Sequence, residues 1–368
     1  MTTGSLATAK VSRQWSPGAV IDCDVHNEIK SRDDLKPYLA RRWHEAYDNV
    51  AVLPSGQTGL VVGARPHRDI FRRDAVPAEG PPGSDLGLLR EQHLDRYNVA
   101  RALLHPVLVV LRNPTYGILG REVISALNRW MQAEWLEQDD RLFGAVSVTV
   151  EDGQGAADEI RRTADCDRFV KVMMTIQTRE GLGHPRYWPM YEAAAERDMP
   201  IAAHVGGFSG THMAAGWPVY WIESHVSYPQ VYAAQVMSLV CSGVFDRIPN
   251  LRFVLEEGGV AWVPALMWRA DHSWRTMRAG VAHLQEPPSQ IIRRHFAFTT
   301  QPLDEPEKPE YLREVLAQLD MMDSIFFASD YPHWDFDDPS RVLTSRQVDD
   351  HTRERILFHN ADRFFPFP

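Results

Sequence analysis

The chain has 368 residues, 44% hydrophobic and 24% charged, enough apolar material for one large α/β domain. A formal net charge of −10, scattered along the chain, argues against nucleic acid or an anionic membrane as partner. No run approaches the ~20 apolar residues of a membrane span, and Cys23, Cys166 and Cys241 form no C-x-x-C pair, so a reducing, cytoplasmic setting is expected. Residues 1–18 are small and polar and read as a flexible N-terminal arm, with a single domain over 19–368. An apolar run at 19–23 is a buried strand. A long irregular insertion follows at 28–85, rich in proline and carrying Arg65, His67, Arg68 and Arg72. From there strands are expected at 101–107, 142–150, 169–175, 200–205, 251–255, 296–300 and 324–329. Helices are expected at 86–97, 120–137, 155–163, 187–197, 230–242, 260–279 and 309–319. Eight apolar strands alternating with helices predict a (β/α)8 barrel, an α/β fold with its site at the C-terminal ends of the strands. A doubly wound open sheet is the alternative, weakened because no G-x-G-x-x-G follows the first strand.

Several strands end in groups that suit a divalent metal. Asp24 and His26 follow the first strand two residues apart, on one side of an extended chain. His204 ends the fifth strand before Gly206-Gly207, Glu256-Glu257 ends the sixth before Gly258-Gly259, and Asp330 ends the eighth. Two carboxylates at the end of an apolar strand are costly unless used or paired, so one is expected to function and the other to pair with an arginine. Each residue alone has an ordinary explanation as a core histidine, a helix cap or a loop residue. Only a barrel brings Asp24, His26, His204, Glu257 and Asp330 to one centre, where a metal would sit.

These motifs resemble the amidohydrolase superfamily, in the amidohydrolase-2 branch that includes aminocarboxymuconate-semialdehyde and resorcylate decarboxylases. The resemblance rests on Asp24-Val25-His26, on His204, and on Ser329-Asp330-Tyr331-Pro332. It extends to Ser242-Gly243-Val244-Phe245-Asp246-Arg247-Ile248-Pro249-Asn250-Leu251 and to Ile356-Leu357-Phe358-His359-Asn360-Ala361-Asp362-Arg363-Phe364-Phe365. It implies a first metal site of Asp24, His26, His204 and Asp330, holding Zn, Mn or Fe. Lys171 invites comparison with the carboxylated bridging lysine of other amidohydrolases, but its mid-strand place favours a structural role. The chain departs from the branch at Glu257, where many relatives carry histidine. With His225, at the end of the loop after the fifth strand, Glu257 makes the inventory large enough for two ions.

Three functional readings follow. The first is hydrolysis or decarboxylation of a small organic acid or amide, with Glu257 as general base and Asp330 orienting the nucleophile. Arg72, His105, Trp221 and His333 are then the substrate-binding candidates. The second, implied by the resemblance, is a dinuclear Fe or Mn/Fe oxygenase that hydroxylates a C–H bond, in which Glu257 and His225 bind the second ion. The third is a non-catalytic scaffold subunit. An aromatic stretch at 208–221 is expected to be a lid or a dimer contact. A homo-oligomer is expected, with a hetero-oligomer containing a paralogue as the alternative.

Overall fold

The computed structural model describes residues 18–49, 71–106, 117–207, 220–344 and 346–368. The arm expected over 1–18 therefore falls outside the described residues, except residue 18. So do Arg65, His67 and Arg68 of the insertion and most of the lid stretch.

Eight strands form one sheet in sequence order: β1 (Val20–Asn27), β2 (Val99–Pro106), β3 (Leu142–Ser147), β4 (Phe169–Gln177), β5 (Ile201–Gly207), β6 (Phe253–Leu255), β7 (Phe296–Thr299) and β8 (Ile325–Phe326). Every adjacent pair is parallel. The sheet closes on itself where Cys23 N donates to Phe327 O at 3.0 Å, Asp330 N to Asp24 O at 3.1 Å and His26 N to Tyr331 O at 2.7 Å. The (β/α)8 barrel is therefore the fold. All of β1 is buried, as a strand enclosed on both faces requires.

Two apolar layers show how the side chains alternate. Val20, Leu104, Val172, Ala203, Leu255 and Phe298 pack outward against the helices. Ile21, Cys23, Leu103, Phe143, Val170, Val254, Ala297 and Phe326 pack inward, where Phe358 and Phe365 of the C-terminal segment join them. Among the register shifts that break this rhythm, two bear directly on the interior. The β1–β2 register shifts between Asp22 and Val25, so Val25 faces outward although Ile21 and Cys23 face inward. The β3–β4 register shifts at Gly144/Ala145, skipping Val170 and pairing Ala145 with Lys171. A bulge re-aims the side chains that follow it. The first turns Asp24 and His26 inward, and the second turns Lys171 inward.

The structure revises several expected bounds. β8 holds two residues and the chain then leaves the sheet, so Asp330 lies in the loop after it. The helix expected at 230–242 spans Trp221–Ser242 with Pro229 inside it. Proline's missing N–H and ring clash make it read as a helix break from sequence, yet the helix passes through it. His225 is thus on a helix rather than at the end of a loop. The insertion contains short helical turns at Arg32–Tyr38, Arg41–Trp43, His44–Asn49 and Arg73–Ala75. Among the described residues no helix is long and apolar enough to cross a membrane.

Candidate metal centre

The barrel interior is layered from its closed end to its mouth. Above the apolar plug sits a fully buried ion pair, Lys171 Nζ to Glu256 Oε1 at 2.6 Å, with Nζ also donating to Cys23 O at 2.7 Å. Glu256 therefore pairs with a lysine from β4, not with the arginine expected from sequence. Burial pushes the Glu256 carboxyl up to about 7 against the opposing pull of Lys171. Its second oxygen makes no hydrogen bond and lies 3.9 Å from His105 Nε2.

Asp24, His26, His105 and His204 stand above that pair, all buried, with one donor atom from each lying within 4.8 Å of the others. The imidazoles are oriented differently. His204 Nδ1 lies 2.8 Å from Val205 O and His26 Nδ1 3.4 Å from His105 O. A carbonyl can only accept, so these nitrogens carry the protons and each Nε2 presents a lone pair. His105 is reversed: its Nε2 meets Asp24 Oδ1 at 2.5 Å, so it donates to the carboxylate. Asp24 Oδ2, His26 Nε2 and His204 Nε2 are buried and make no hydrogen bond; their polar neighbours are other groups of the site, with Asp330 Oδ1 2.7 Å from His26 Nε2 and Asp24 Oδ2 3.4 Å from His204 Nε2. Buried polar atoms are rarely abandoned in this way. Three bare donors, one carboxylate and two imidazoles, suit a divalent ion such as Zn, Mn or Fe, with His105 orienting the carboxylate from behind.

Charge points the same way. Burial acts to discharge His204, but Glu257 and Asp24 outweigh it and hold the imidazole well above its ordinary value. Burial works against Asp24 as well, yet the imidazoles of His105, His26 and His204 keep its carboxyl well below the usual range. The pocket calls for positive charge, which a bound cation would supply in place of protons. Burial depresses His26 and, more strongly, His105.

A second group shares His26: Glu257, Asp330 and His333 place donor atoms within 4.8 Å of it and of one another. His26 Nε2 is 2.7 Å from Asp330 Oδ1, while Glu257 Oε1 is 3.5 Å from His204 Nε2 and 4.0 Å from His333 Nδ1. His333 Nδ1 is hydrogen-bonded to Asp330 Oδ1. Burial, followed by the charges of Glu257, Asp335 and Asp24, pushes the Asp330 carboxyl well above its usual range. Gln301 Nε2 reaches Asp330 Oδ2 at 3.3 Å.

Glu257 and Asp330 both occupy left-handed backbone, with φ of +57° and +60°. That conformation costs a residue with a side chain about 1–3 kcal/mol and persists only where the surroundings enforce it. For Glu257 the enforcement is visible. Tyr232 OH donates to Glu256 O, and its ring stands where a Cβ on Gly258 would come within 3.1 Å. Trp262 Nε1 donates to Gly258 O at 2.8 Å, and Asp304 Oδ2 accepts from Val260 N and Ala261 N at 3.0 and 2.9 Å. Asp330 is held by its own N–H on Asp24 O and by His333 N on its carbonyl at 2.7 Å.

The other candidates are placed as follows. His105 and His333, expected to touch substrate, stand inside the two donor groups. Arg72 is paired with Asp74 at 2.7 Å and lies over the Phe336 ring at 4.5 Å. Its neighbour Phe71 stacks on His333 with centroids 5.2 Å apart, so the insertion covers that imidazole. His225 belongs to neither donor group among the described residues; its Nε2 is 3.3 Å from Asp335 Oδ2. Trp221 begins its helix, and its side chain lies outside the described residues, as do Phe208, His212, Met213 and Trp217. Sequence reading missed Gln301, whose only signal was its place at the end of β7.

A family model described as amidohydrolase matches residues 21–367. The gamma-resorcylate decarboxylase of Rhizobium sp. (strain MTP-10005) is 24% identical over 258 residues, covering 66% of this chain and 76% of that protein. The crystal structure of 5-carboxyvanillate decarboxylase from Sphingomonas paucimobilis superposes with a TM-score of 0.67 at 19% identity, over 95% of this chain and 100% of that one. The dihydroxybenzoic acid decarboxylase of Polaromonas sp. JS666, with bound manganese and the inhibitor 2-nitroresorcinol, superposes with a TM-score of 0.63 at 16% identity, over 94% and 96% of the two chains. With nearly its whole length matched, this chain belongs to the amidohydrolase family, and curated decarboxylases are among its relatives.

Proposed function

We propose that this chain is a metal-dependent carbon–carbon lyase that removes CO2 from a small carboxylic acid, an aromatic hydroxy acid being the first class to try. The observation that carries the reading is the trio of bare buried donors, Asp24 Oδ2, His26 Nε2 and His204 Nε2, beside an acid group that can carry a proton. The gamma-resorcylate and dihydroxybenzoic acid decarboxylases among its relatives are named for acids of that class. A divalent ion held by the trio would draw electron density from a substrate oxygen and so weaken the bond to the departing carboxylate.

The chain's own residues supply the rest. Loss of CO2 leaves an electron pair on carbon that must take up one proton, so that R–CO2⁻ plus H⁺ becomes R–H plus CO2. The hydrogen-bonded Asp330–His333 pair can hold that proton and deliver it, with Gln301 fixing the other Asp330 oxygen. Glu257 stands between His204 and His333, 3.5 Å from His204 Nε2 and 4.0 Å from His333 Nδ1, and adds negative charge beside the donor trio. Phe71, stacked on His333, limits access of water from the insertion side.

One observation favours a second reading. The donor group of His26, Glu257, Asp330 and His333 could hold a second ion, as an oxygenase with a dinuclear centre requires. The two readings separate cleanly in one assay. Protein loaded with Mn²⁺, Zn²⁺ or Fe²⁺ is given a panel of hydroxybenzoates in air and under argon, and CO2 release is followed. Decarboxylation proceeds without oxygen. Turnover that stops under argon, in protein holding two ions including iron, would replace the lyase reading with the oxygenase one.

A further inference from the structure

We propose that Asp22 and His93, a fully buried pair on the outer side of the barrel wall, position Asp24 and Asp330 at the metal centre. The inference rests on the metal-site reading above. Asp22 Oδ2 lies 2.6 Å from His93 Nε2, and Asp22 Oδ1 accepts from Asp24 N at 3.2 Å and from Ser329 N at 3.0 Å. Neither residue is exposed.

The placement is what gives these bonds their meaning. The seam between β1 and the chain leaving β8 is spanned by Cys23 N on Phe327 O, Asp330 N on Asp24 O and His26 N on Tyr331 O, with β8 itself contributing only two residues. Asp24 and Asp330 both emerge at that seam. Asp22 takes one N–H from each side of it: that of Asp24 itself, and that of Ser329, the residue before Asp330. A single carboxylate therefore fixes how far apart the two chains stand where both site acids begin. It sits at the β1 register shift, just before the residues that turn inward.

His93 holds that carboxylate in place. It lies in a wide, π-helical turn, Arg90–Asp95, an irregularity often found beside functional sites. Its ring stacks on Tyr331, which follows Asp330, at 5.4 Å and 17°. His93 therefore touches both sides of the seam. Its Nδ1 is buried without a hydrogen bond, so a protonated ring would leave an N–H unsatisfied. The arrangement suits a neutral imidazole that donates from Nε2. Asp22 then accepts three N–H bonds. If packing were the only need, a leucine would satisfy this apolar layer, and burying a carboxylate there would be a pure cost.

The test is Mn²⁺ affinity, measured on metal-free full-length protein by competition with a chelator and read also as the electron paramagnetic resonance signal of bound Mn²⁺. Outer partners of metal ligands typically control affinity by about 10–100-fold. His93→Leu and Asp22→Asn are expected to weaken Mn²⁺ binding by that factor and to broaden the signal. His93→Gln, whose amide N–H reaches the same place, is expected to stay within about threefold of wild type on the same scale. The conservative variant separates positioning from bulk packing, and the two His93 variants decide the matter if Asp22→Asn does not fold. Wild-type affinity and signal in His93→Leu would overturn the inference, as would equal losses in Leu and Gln variants. Wild-type protein that binds no Mn²⁺, Zn²⁺ or Fe²⁺ would overturn the metal-site reading and this inference with it.

Discussion

Lys171→Met is expected to destabilise the protein by about 3–5 kcal/mol, because it leaves Glu256 buried without its cation. Lys171 and Glu256 have no exposed surface, and the ammonium's described partners are Glu256 Oε1 and Cys23 O. The double variant Lys171→Met/Glu256→Met removes both charges and substitutes side chains of similar volume, so it is expected to recover most of the loss. Denaturant unfolding of the two single variants and the double one gives the coupling directly. A loss below about 1 kcal/mol in Lys171→Met, or full additivity in the double variant, would mean that the pair is not the floor on which the metal centre rests. Glu256 Oε2 faces His105, which in turn holds Asp24, so single variants should also loosen metal binding before the fold is lost.

The second large effect falls on chemistry rather than stability. Asp330→Asn is expected to lower turnover by about 10²–10⁴-fold, the range for losing a general acid. The fold should survive it. Asparagine tolerates the left-handed backbone at φ +60° as well as aspartate does, and its amide can still meet Gln301 and His333. His26→Ala, by contrast, removes the one residue common to both donor groups and should abolish metal binding along with activity. Steady-state rates paired with metal content distinguish the two variants. Asp330→Asn protein that keeps both its metal and full turnover would remove Asp330 from the proton-carrying role.

How far the sequence could reveal all this depended on what each feature requires. The barrel was legible because strands buried on both faces must be continuous apolar runs, and eight such runs lie between helical segments. The strand ends were legible for the same reason, since Asp24, His204, Glu257 and Asp330 interrupt apolar runs where a core would not tolerate them. Bulges were not legible. Nothing in Val170-Lys171 says that both side chains point inward, so Lys171 could not be matched with Glu256, 85 residues away. Pro229 hid the first turns of its helix, and with them the setting of His225. Arg72 looked free to bind an acid, but Asp74 two residues on takes its guanidinium. His93 falls inside the helix expected at 86–97 with nothing to mark it, and its bond to Asp22 exists only once helix and strand have packed.

The central claim is that three bare donors at the barrel mouth hold a divalent ion. Diffraction from crystals grown with Mn²⁺, recorded on either side of the manganese absorption edge, tests it most directly. An anomalous peak is expected within bonding distance, roughly 2.0–2.3 Å, of Asp24 Oδ2, His26 Nε2 and His204 Nε2. A peak absent from that place, in crystals that show manganese elsewhere or not at all, would contradict it.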